Sequence, residues 1–181
     1  YVERENIIIS IGSLRWQKNH KILVEAFSDI HYRYPDWKLI ILGEGKERKN
    51  LEYLINQNDL EKYISLKGSL DKIKVRDWLL KSKIFVICSL TEGLPKALLE
   101  ASASGCACIA TDVGDCSKVL EDIGLISINN DKNNLIFNIE RLIKDQNLSN
   151  LLSIKSVEKV KYYSWETYIN IHKDLYHQLL S

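Results

Sequence analysis

Two carboxylates eight residues apart are the feature of this sequence that most clearly suggests chemistry. Glu92 and Glu100 bound the stretch EGLPKALLE, in which Pro95 suits the first turn of a helix that runs to Ser104 and stops at Gly105. Eight residues span roughly two helical turns, so Glu100 could lie on the ligand-facing side, about 10 Å further along the axis. Two acceptors at that separation suit the hydroxyl groups of two sugars joined through a diphosphate. Taken alone, these residues slightly favour a plainer interpretation, in which Glu92 complements the helix dipole and Glu100 is a solvated surface charge.

The start of this predicted helix also offers backbone N–H groups to an anion. The amides of Gly93, Leu94 and Lys96 would be unpaired there, whereas Pro95 has no N–H to donate. Gly93 additionally lets the backbone approach a ligand closely. An anionic part of a ligand could therefore bind next to Glu92.

A second candidate loop follows the first predicted strand, residues 7–11, whose apolar run ends at Gly12. The loop continues with Ser13, Arg15 and Lys18. Two cations at the carboxyl end of a strand can neutralise a diphosphate, because lysine is a point charge and arginine a bidentate fork for phosphate oxygens. Ordinary surface charge is an equally good interpretation of these residues on their own.

Two further glycine-containing loops carry weaker signals. Gly43-Glu44-Gly45 looks like the opening of a dinucleotide fingerprint, but position 48 is Arg where a third glycine is needed, and the loop follows the second predicted strand. A tight turn is the better interpretation there. The loop around Gly114 could close over a ligand or an acceptor, and a plain turn is equally consistent with it.

The composition is that of an ordinary soluble globular protein, and a single domain is expected over residues 1–181. The 25 basic and 24 acidic side chains give a formal charge of +1, so we expect no nucleic-acid partner. No apolar run approaches the roughly 18–20 residues that span a bilayer, and the charged beginning is not a signal peptide. Because the chain does not begin with methionine, we expect it to be a fragment of a longer protein.

The four cysteines are interpreted as reduced thiols in a reducing compartment. None forms a CxxC pair, and three of them lie in apolar runs, where a thiol behaves as a small hydrophobic group. We therefore expect neither a disulfide nor a metal site. The four are Cys88, Cys106, Cys108 and Cys116.

Short apolar runs alternate with segments of helical period along the chain, which predicts an α/β fold: a Rossmann-like, doubly wound parallel sheet flanked by helices. Ligands in such sheets bind beyond the carboxyl ends of the strands, where the loops described above lie. The predicted strands are 7–11, 37–42, 64–66, 84–88, 107–110 and 125–128. The predicted helices are 21–34, 46–58, 73–81, 95–104, a short one from 117, and two or three within 133–180.

Together these loops resemble glycosyltransferase family 4, whose members have two Rossmann-like lobes in the arrangement called GT-B. EGLPKALLE looks like the Glu-x7-Glu motif of that family, and IGSLRWQKNHKILVEAF looks like its phosphate-binding strand, loop and helix. LGEGKERKNLEYLI resembles the second unit, ASASGCACIATDVGD the segment after the motif helix, and YYSWETYINIHKDLY the closing helix. The likeness spans nearly all of the chain in the family's order.

The resemblance implies that this chain is the C-terminal, donor-binding lobe of a retaining hexosyltransferase that uses a nucleoside-diphosphate sugar such as a UDP or GDP sugar. It assigns Lys18 to the donor diphosphate and Glu92 to the transferred sugar, as the catalytic residues, and Glu100 to the ribose. The loop at Lys67-Gly68-Ser69 would lie near the base. The full implied donor site is Gly12, Ser13, Arg15, Lys18, Glu92, Gly93, Leu94, Pro95, Lys96 and Glu100.

The same resemblance implies a glycan or lipid-linked acceptor held by an absent N-terminal lobe, so the chain alone would transfer little or no sugar. It implies no metal or other cofactor, a role in bacterial surface polysaccharide synthesis, and a cytoplasmic location. Any peripheral contact with the inner face of the membrane would come from the other lobe. Ser13 stands where the family often has Arg, and Arg15 could supply that cation; Cys106 stands where a charged residue is usual.

Three alternatives stay open at this point. A sugar-nucleotide epimerase or a phosphorylase would use the same fold, and an epimerase would need no acceptor. A non-catalytic partner protein would keep the fold, although intact Lys18, Glu92 and Glu100 argue against it. An NAD-dependent oxidoreductase is disfavoured by the incomplete glycine fingerprint.

Overall fold

The computed structural model describes residues 3–164 continuously and residues 166, 167, 169, 172, 173 and 176 beyond them. The closing helix predicted for YYSWETYINIHKDLY lies largely outside the described residues. Among the residues that are described, no helix combines the length and hydropathy of a membrane span.

Six strands form one parallel sheet, and each lies where the sequence predicts a strand. Their order is β3-β2-β1-β4-β5-β6, and every neighbouring pair is parallel. The strands are β1 Glu5–Ile11, β2 Lys38–Leu42, β3 Ile64–Leu66, β4 Ser82–Ile87, β5 Ala107–Thr111 and β6 Gly124–Ser127. Because the chain order reverses between β1 and β4, a crevice is expected beyond their carboxyl ends.

Seven helices connect or follow these strands in the described part of the chain. They are α1 His20–Ile30, α2 Arg48–Gln57, α3 Lys72–Lys81, α4 Lys96–Ala103, α5 Cys116–Leu120, α6 Lys132–Lys144 and α7 Gln146–Lys159. The helix predicted over 21–34 ends earlier, at Ile30, and continues as a 3₁₀ turn over His31–Arg33. Tyr34, at φ −133° and ψ 62°, is outside the helical region because the ring of Pro35 disfavours helical angles in the preceding residue.

The core has two halves, one on each face of the sheet. Since successive residues of a strand point to opposite faces, Ile8 packs with α1, α2 and α6, whereas Ile9 packs with α3, α4 and α5. This burial on both faces explains why the strands are continuous apolar runs.

Backbone contacts join the loops at the carboxyl ends of β1, β2 and β3. The Gly12 amide donates to the Leu42 carbonyl at 3.0 Å, and the Gly43 amide donates to the Gly68 carbonyl at 2.8 Å. Gly43 has φ +147°, and a Cβ there would lie 1.9 Å from the Gly12 oxygen. The requirement for glycine at position 43 is thus explained by the close packing of two loops.

Candidate functional site

Lys18 and Glu92 form an ion pair at the carboxyl edge of the sheet. Nζ of Lys18 lies 2.5 Å from Oε1 of Glu92, and the two side chains are 29% and 11% exposed. Lys18 ends the 3₁₀ turn between β1 and α1, and Glu92 lies in the loop between β4 and α4. The pair therefore spans the point at which the strand order reverses, where doubly wound sheets bind their ligands.

Two buried hydroxyl groups hold Glu92 in this position. Oγ of Ser89 donates to Oε1 of Glu92 at 2.7 Å, and Oγ1 of Thr111 donates to the Ser89 carbonyl at 2.7 Å. Ser89 is 2% exposed and Thr111 is 3% exposed. Neither residue was predicted from the sequence, in which the available signal was a hydroxyl residue at or just beyond the carboxyl end of each of two adjacent, otherwise apolar strands.

The backbone around Lys18 is fixed to the segment that follows β4. The Leu90 amide donates to the Gln17 carbonyl at 2.8 Å. The Cys88 thiol donates to the carbonyls of Lys18 and Asn19 at 3.3 and 3.2 Å. Because burial raises the pKa of Cys88 to about 12, the group remains a thiol that can donate.

His20 lies directly behind Lys18 and stays neutral near physiological pH. It is 4% exposed, and its Nδ1 has no hydrogen-bond partner within the described structure. Burial, and secondarily the charge of Lys18, lowers the pKa of His20 to about 4. The pair of Lys18 and Glu92 therefore carries the charge of this part of the site.

The loop after Glu92 is held on one side and open on the other. The Asp115 amide donates to the Gly93 carbonyl at 3.3 Å, and a Cβ on Gly114 would lie 2.3 Å from the backbone carbonyl oxygen of Glu92. A Cβ on Gly93 would meet no atom within 4 Å. Among the described residues, the amides of Gly93, Leu94 and Lys96 donate to no backbone group, so they are available to a ligand.

The other two residues of this loop differ in exposure. Leu94 is 51% exposed, whereas Pro95 is buried and precedes the first residue of α4. The helix predicted over 95–104 is thus found at Lys96–Ala103, with Pro95 as its N-cap.

Glu100 lies in an adjacent cavity between α3 and α4. It is exposed, and it lines a space of about 510 Å³ together with Ile11 at the end of β1 and Leu70, Val75 and Arg76. The lining is mainly apolar, which suits the flat face of a base or a sugar with one carboxylate beside it. A cavity of about 540 Å³ also occurs at the opposite, amino edge of the sheet, around Arg4 and Gly105, remote from these residues.

Arg15 does not join the ion pair. It lines a separate cavity of about 220 Å³ with Trp16 and Glu47, on the α2 side of the loop. Ser13 is exposed, and its carbonyl accepts from the Arg15 amide at 2.8 Å. A Cβ on Gly12 would be 3.5 Å from the Lys18 side chain, so Gly12 packs against the stem of that lysine.

The structure therefore brings Gly12, Lys18, Glu92 and Gly93 together and places Glu100 in a neighbouring cavity. The roles implied for these residues stay predictions. Of the loop expected near the base, Gly68 binds Gly43, and Lys67 stacks on Trp78 outside the Glu100 cavity.

A parallel sheet of this order, with a charged pair at the reversal point, defines a doubly wound α/β ligand-binding domain of the Rossmann type. The chain belongs to the family described as glycosyl transferases group 1, whose model matches residues 2–159. The predicted glycosyltransferase class is thereby confirmed at the level of this family.

Three curated relatives each share 28% identity with the chain over the aligned residues. One phosphatidylinositol N-acetylglucosaminyltransferase subunit, from Arabidopsis thaliana, aligns over 88% of the chain and 35% of its own length. The N-acetylgalactosamine-N,N'-diacetylbacillosaminyl-diphospho-undecaprenol 4-alpha-N-acetylgalactosaminyltransferase of Campylobacter jejuni aligns over 87% of the chain and 43% of its own length. N-acetyl-alpha-D-glucosaminyl L-malate synthase of Bacillus anthracis aligns over 98% and 47%. The chain thus spans less than half the length of these relatives.

Solved glycosyltransferases share the fold. The pneumococcal O-GlcNAc transferase GtfA, in complex with UDP and GlcNAc, has a TM-score of 0.86 at 21% identity over 98% of this chain and 37% of that one. The C-terminal domain of a group 1 protein (LpcC) from Francisella tularensis has a TM-score of 0.79 at 27% identity over 88% and 86%. The structural neighbours are GT-B glycosyltransferases, and the predicted α/β fold is confirmed.

Proposed function

We propose that this chain is the donor-binding lobe of a retaining hexosyltransferase of the family 4 type, which moves a sugar from a nucleoside-diphosphate sugar to a glycan or lipid-linked acceptor. The observation that carries the proposal is the Lys18–Glu92 ion pair at the strand reversal, beside the open face of Gly93 and the cavity of Glu100. Membership of the glycosyl transferases group 1 family supports the transferase class.

Lys18 would stabilise the leaving group. When the bond between the sugar C1 and the diphosphate oxygen breaks, negative charge builds on the diphosphate and the sugar gains oxocarbenium character. A preorganised ammonium group and the amides of Gly93 and Lys96 would stabilise that charge, which is the kind of contribution that lowers a barrier most. In this proposal no metal ion is needed for charge neutralisation.

When the diphosphate replaces Glu92 as the ion-pair partner of Lys18, the Glu92 carboxylate would bind the transferred sugar. Its carboxylate can accept hydrogen bonds from sugar hydroxyl groups, and the hydroxyl of Ser89 keeps it in place. Retention would follow a front-face route, in which the acceptor oxygen bonds to C1 on the face that the diphosphate leaves. The acceptor proton would pass to the departing phosphate oxygen, so no base from this lobe is required.

Glu100 would accept hydrogen bonds from the ribose, and the apolar wall formed by Ile11, Leu70 and Val75 would receive the base. The acceptor would be held by an N-terminal lobe, so this chain alone is expected to transfer little or no sugar. Two relatives support a lipid-linked acceptor, because their names specify phosphatidylinositol and diphospho-undecaprenol. Cell-surface polysaccharide synthesis at the inner face of a bacterial membrane is the setting that we propose.

Thermal unfolding with UDP, GDP, ADP and CDP tests the donor site. A nucleotide at 100-fold over its dissociation constant stabilises by about 2.7 kcal/mol, which corresponds to a rise of roughly 5–11 °C. We expect a rise with one nucleotide that is lost in Lys18→Ala and Glu100→Gln. Lys21→Ala, which removes a lysine whose side chain is 71% exposed, is the control and should keep the rise. A rise that persists in both site variants would contradict the proposal.

A further inference from the structure

The Glu100 cavity is bordered by two cations on the wall opposite Glu100. Lys72 and Arg76 line it from α3, whereas Glu100 lines it from α4. Both cationic side chains are exposed, that of Arg76 by 66%. The donor site proposed above uses only Glu100 and the apolar part of this lining, so the two cations have no role in it so far.

Helical spacing brings the cations to the cavity. The residues of α3 that line it are three or four positions apart and therefore share one face of the helix: Lys72, Val75, Arg76, Leu79 and Leu80. This face is charged in its first turns and apolar at its end. Because α3 follows β3 and ends directly before β4, its first turn lies toward the carboxyl edge of the sheet. The cations are thus at the end of the cavity that is nearest the loops of the candidate site.

The nearby carboxylates leave these two cations available to a ligand. Asp71 caps α3 by accepting from the Lys74 amide at 2.9 Å, and it pairs with the side chain of the same lysine. Asp77 lines a separate groove, and its contact with Arg76, at 3.6 Å between two mostly exposed side chains, is weak. Among the described residues, neither cation of the cavity pairs with Glu100. The cavity therefore has free donors on one wall and a free acceptor on the other.

This arrangement matches a flat ligand that donates hydrogen bonds at one end and accepts them at the other. A carboxylate accepts hydrogen bonds, whereas ammonium and guanidinium groups only donate them. Between the two walls the lining is apolar, with Ile11 at the end of β1 and Val75 on α3. A nucleoside has this distribution when its base carries a carbonyl oxygen on the edge remote from the ribose, because the ribose hydroxyl groups donate and the carbonyl oxygen accepts.

We propose that Arg76, together with Lys72, selects a donor nucleotide whose base has such a carbonyl oxygen, uracil or guanine, over one that has an amino group there, cytosine or adenine. The carbonyl oxygens of uracil and guanine accept from a guanidinium group, whereas the amino groups of cytosine and adenine are donors. An amino group beside a cation leaves both donors without an acceptor, and a site built around a hydrogen bond rejects a ligand that cannot form it. This inference rests on the proposed function, since it takes the ribose to be bound at Glu100.

The position of Glu100 assigns the two cations to the base and not to the diphosphate. Lys18 and Gly93 lie at the strand reversal, before the first turn of α4, and Glu100 lies in the second turn of that helix. A ribose at Glu100 would carry its diphosphate toward Lys18. Because the base and the diphosphate leave the ribose from opposite ends, the base would extend the other way, toward the cations of α3.

Two pairs of nucleotides that differ at this ring position test the proposal. UDP and CDP carry a carbonyl and an amino group, respectively, at the same carbon of a pyrimidine, and inosine diphosphate and ADP do so at the same carbon of a purine. In isothermal titration calorimetry on the 181-residue chain, we expect the carbonyl member of one pair to bind at least about tenfold more tightly than its amino partner. The pair in which this occurs identifies a pyrimidine or a purine donor, and GDP is then compared directly with UDP.

Two double variants of α3 assign the preference to its cavity face. Lys72→Gln with Arg76→Gln should reduce the ratio of the two dissociation constants to about one, because the carbonyl nucleotide loses its charged donors. Lys74→Gln with Lys81→Gln removes the same charge from the same helix at residues that line the other groove, and it should keep the wild-type ratio. All four side chains are exposed, so thermal unfolding should show that both variants are folded.

Three results would overturn the inference. Equal affinity for the carbonyl and amino members of both pairs would show that the base is not selected in this way. Equal weakening of all nucleotides in the variant of Lys72 and Arg76 would assign these cations to the diphosphate. In both cases nucleotide binding is still observed, so the proposed donor site would stand. Absence of binding by every nucleotide would overturn the proposed function and this inference together.

Discussion

Lys18 and Glu92 are 74 positions apart in the chain, and their charged groups lie 2.5 Å apart at the carboxyl ends of β1 and β4, where the strand order reverses. Each residue is supplied by a loop that has its own anchor. The Lys18 turn is tied to the segment after β4 through the Gln17 carbonyl, and Glu92 is held by the buried hydroxyl of Ser89. The central pair of the candidate site is therefore a product of tertiary structure, and the positions of its anchors can be tested one at a time.

Ser89→Ala should weaken the binding of a nucleoside-diphosphate sugar more than that of the free nucleotide. The variant removes one hydrogen bond to the Glu92 carboxylate, a contact worth about 1.5–3 kcal/mol when one partner is charged. Isothermal titration calorimetry with both ligands measures the difference. Ser156→Ala is the control, because Ser156 is also buried and donates to carbonyls far from the site. An equal effect of the two substitutions on sugar-nucleotide affinity would rule out a specific role for Ser89.

Gly93→Ala should weaken nucleotide binding without changing stability, whereas Gly114→Ala should lower the stability of the fold. A methyl group on Gly93 meets no atom within 4 Å, so we expect unchanged stability and at least tenfold weaker nucleotide binding, because the methyl group occupies the space left for the ligand. Gly114 has φ +53°, and a Cβ there would lie 2.3 Å from the backbone carbonyl oxygen of Glu92. The Gly114→Ala variant should therefore lose at least about 1–2 kcal/mol of stability. Urea unfolding and calorimetry on the two variants check this. Normal nucleotide affinity in Gly93→Ala would show that the open face is not the ligand side.

Because of His20, the stability of the fold should decrease as the pH is lowered from about 6.5 to about 4. The pKa of this residue is about 4 in the folded chain and 6.5 as its ordinary value, so the unfolded chain binds more protons in that window. Stability therefore rises with pH through the window and levels off above it, with a contribution on the order of 3 kcal/mol. Urea unfolding across this range should show a flatter profile for His20→Gln than for the wild type. A wild-type slope in the His20 variant would contradict this assignment.

Arg4→Lys should destabilise the amino edge of the sheet without affecting the candidate site. The guanidinium donates to the carbonyls of Leu79, Ser82 and Ser104 at 3.1, 2.7 and 2.5 Å, joining the ends of α3 and α4 to the start of β4. A lysine keeps the charge but cannot serve three divergent acceptors, so we expect a loss of about 1.5–3 kcal/mol in urea unfolding. Arg76→Lys, on the exposed face of α3, should change stability little. Nucleotide affinity measured on folded Arg4→Lys should equal that of the wild type.

The order of strands and helices could be predicted from the sequence because the central strands β1, β2, β4 and β5 are mostly buried and α1, α2 and α6 each carry one apolar stripe. The Glu-x7-Glu stretch and the lysine loop were also visible, since their residue types follow strand ends. The hydroxyl groups of Ser89 and Thr111 were not identified, because a single serine or threonine at a strand end has many ordinary explanations. Their role depends on the adjacency of β4 and β5, which only the fold reveals.

Arg15 is a residue that the sequence placed in the site but that does not join the Lys18–Glu92 pair in the fold. Its spacing from Lys18 suggested that both cations face one ligand, but across the 3₁₀ turn at Trp16–Lys18 the side chain of Arg15 lines a separate cavity, whereas Lys18 pairs with Glu92. Turns of this kind leave little periodicity in a sequence.

In the ion pair, the Glu92 carboxylate competes with an anionic ligand for binding to Lys18. An anion that captured Lys18 alone would leave a carboxylate that is 11% exposed without its counter-ion, which is costly. A ligand that brings both an anion for the lysine and hydroxyl donors for the carboxylate avoids that cost. Free phosphate and other simple anions are thus selected against by the protein's own salt bridge, before any contact specific to a base or a sugar is made.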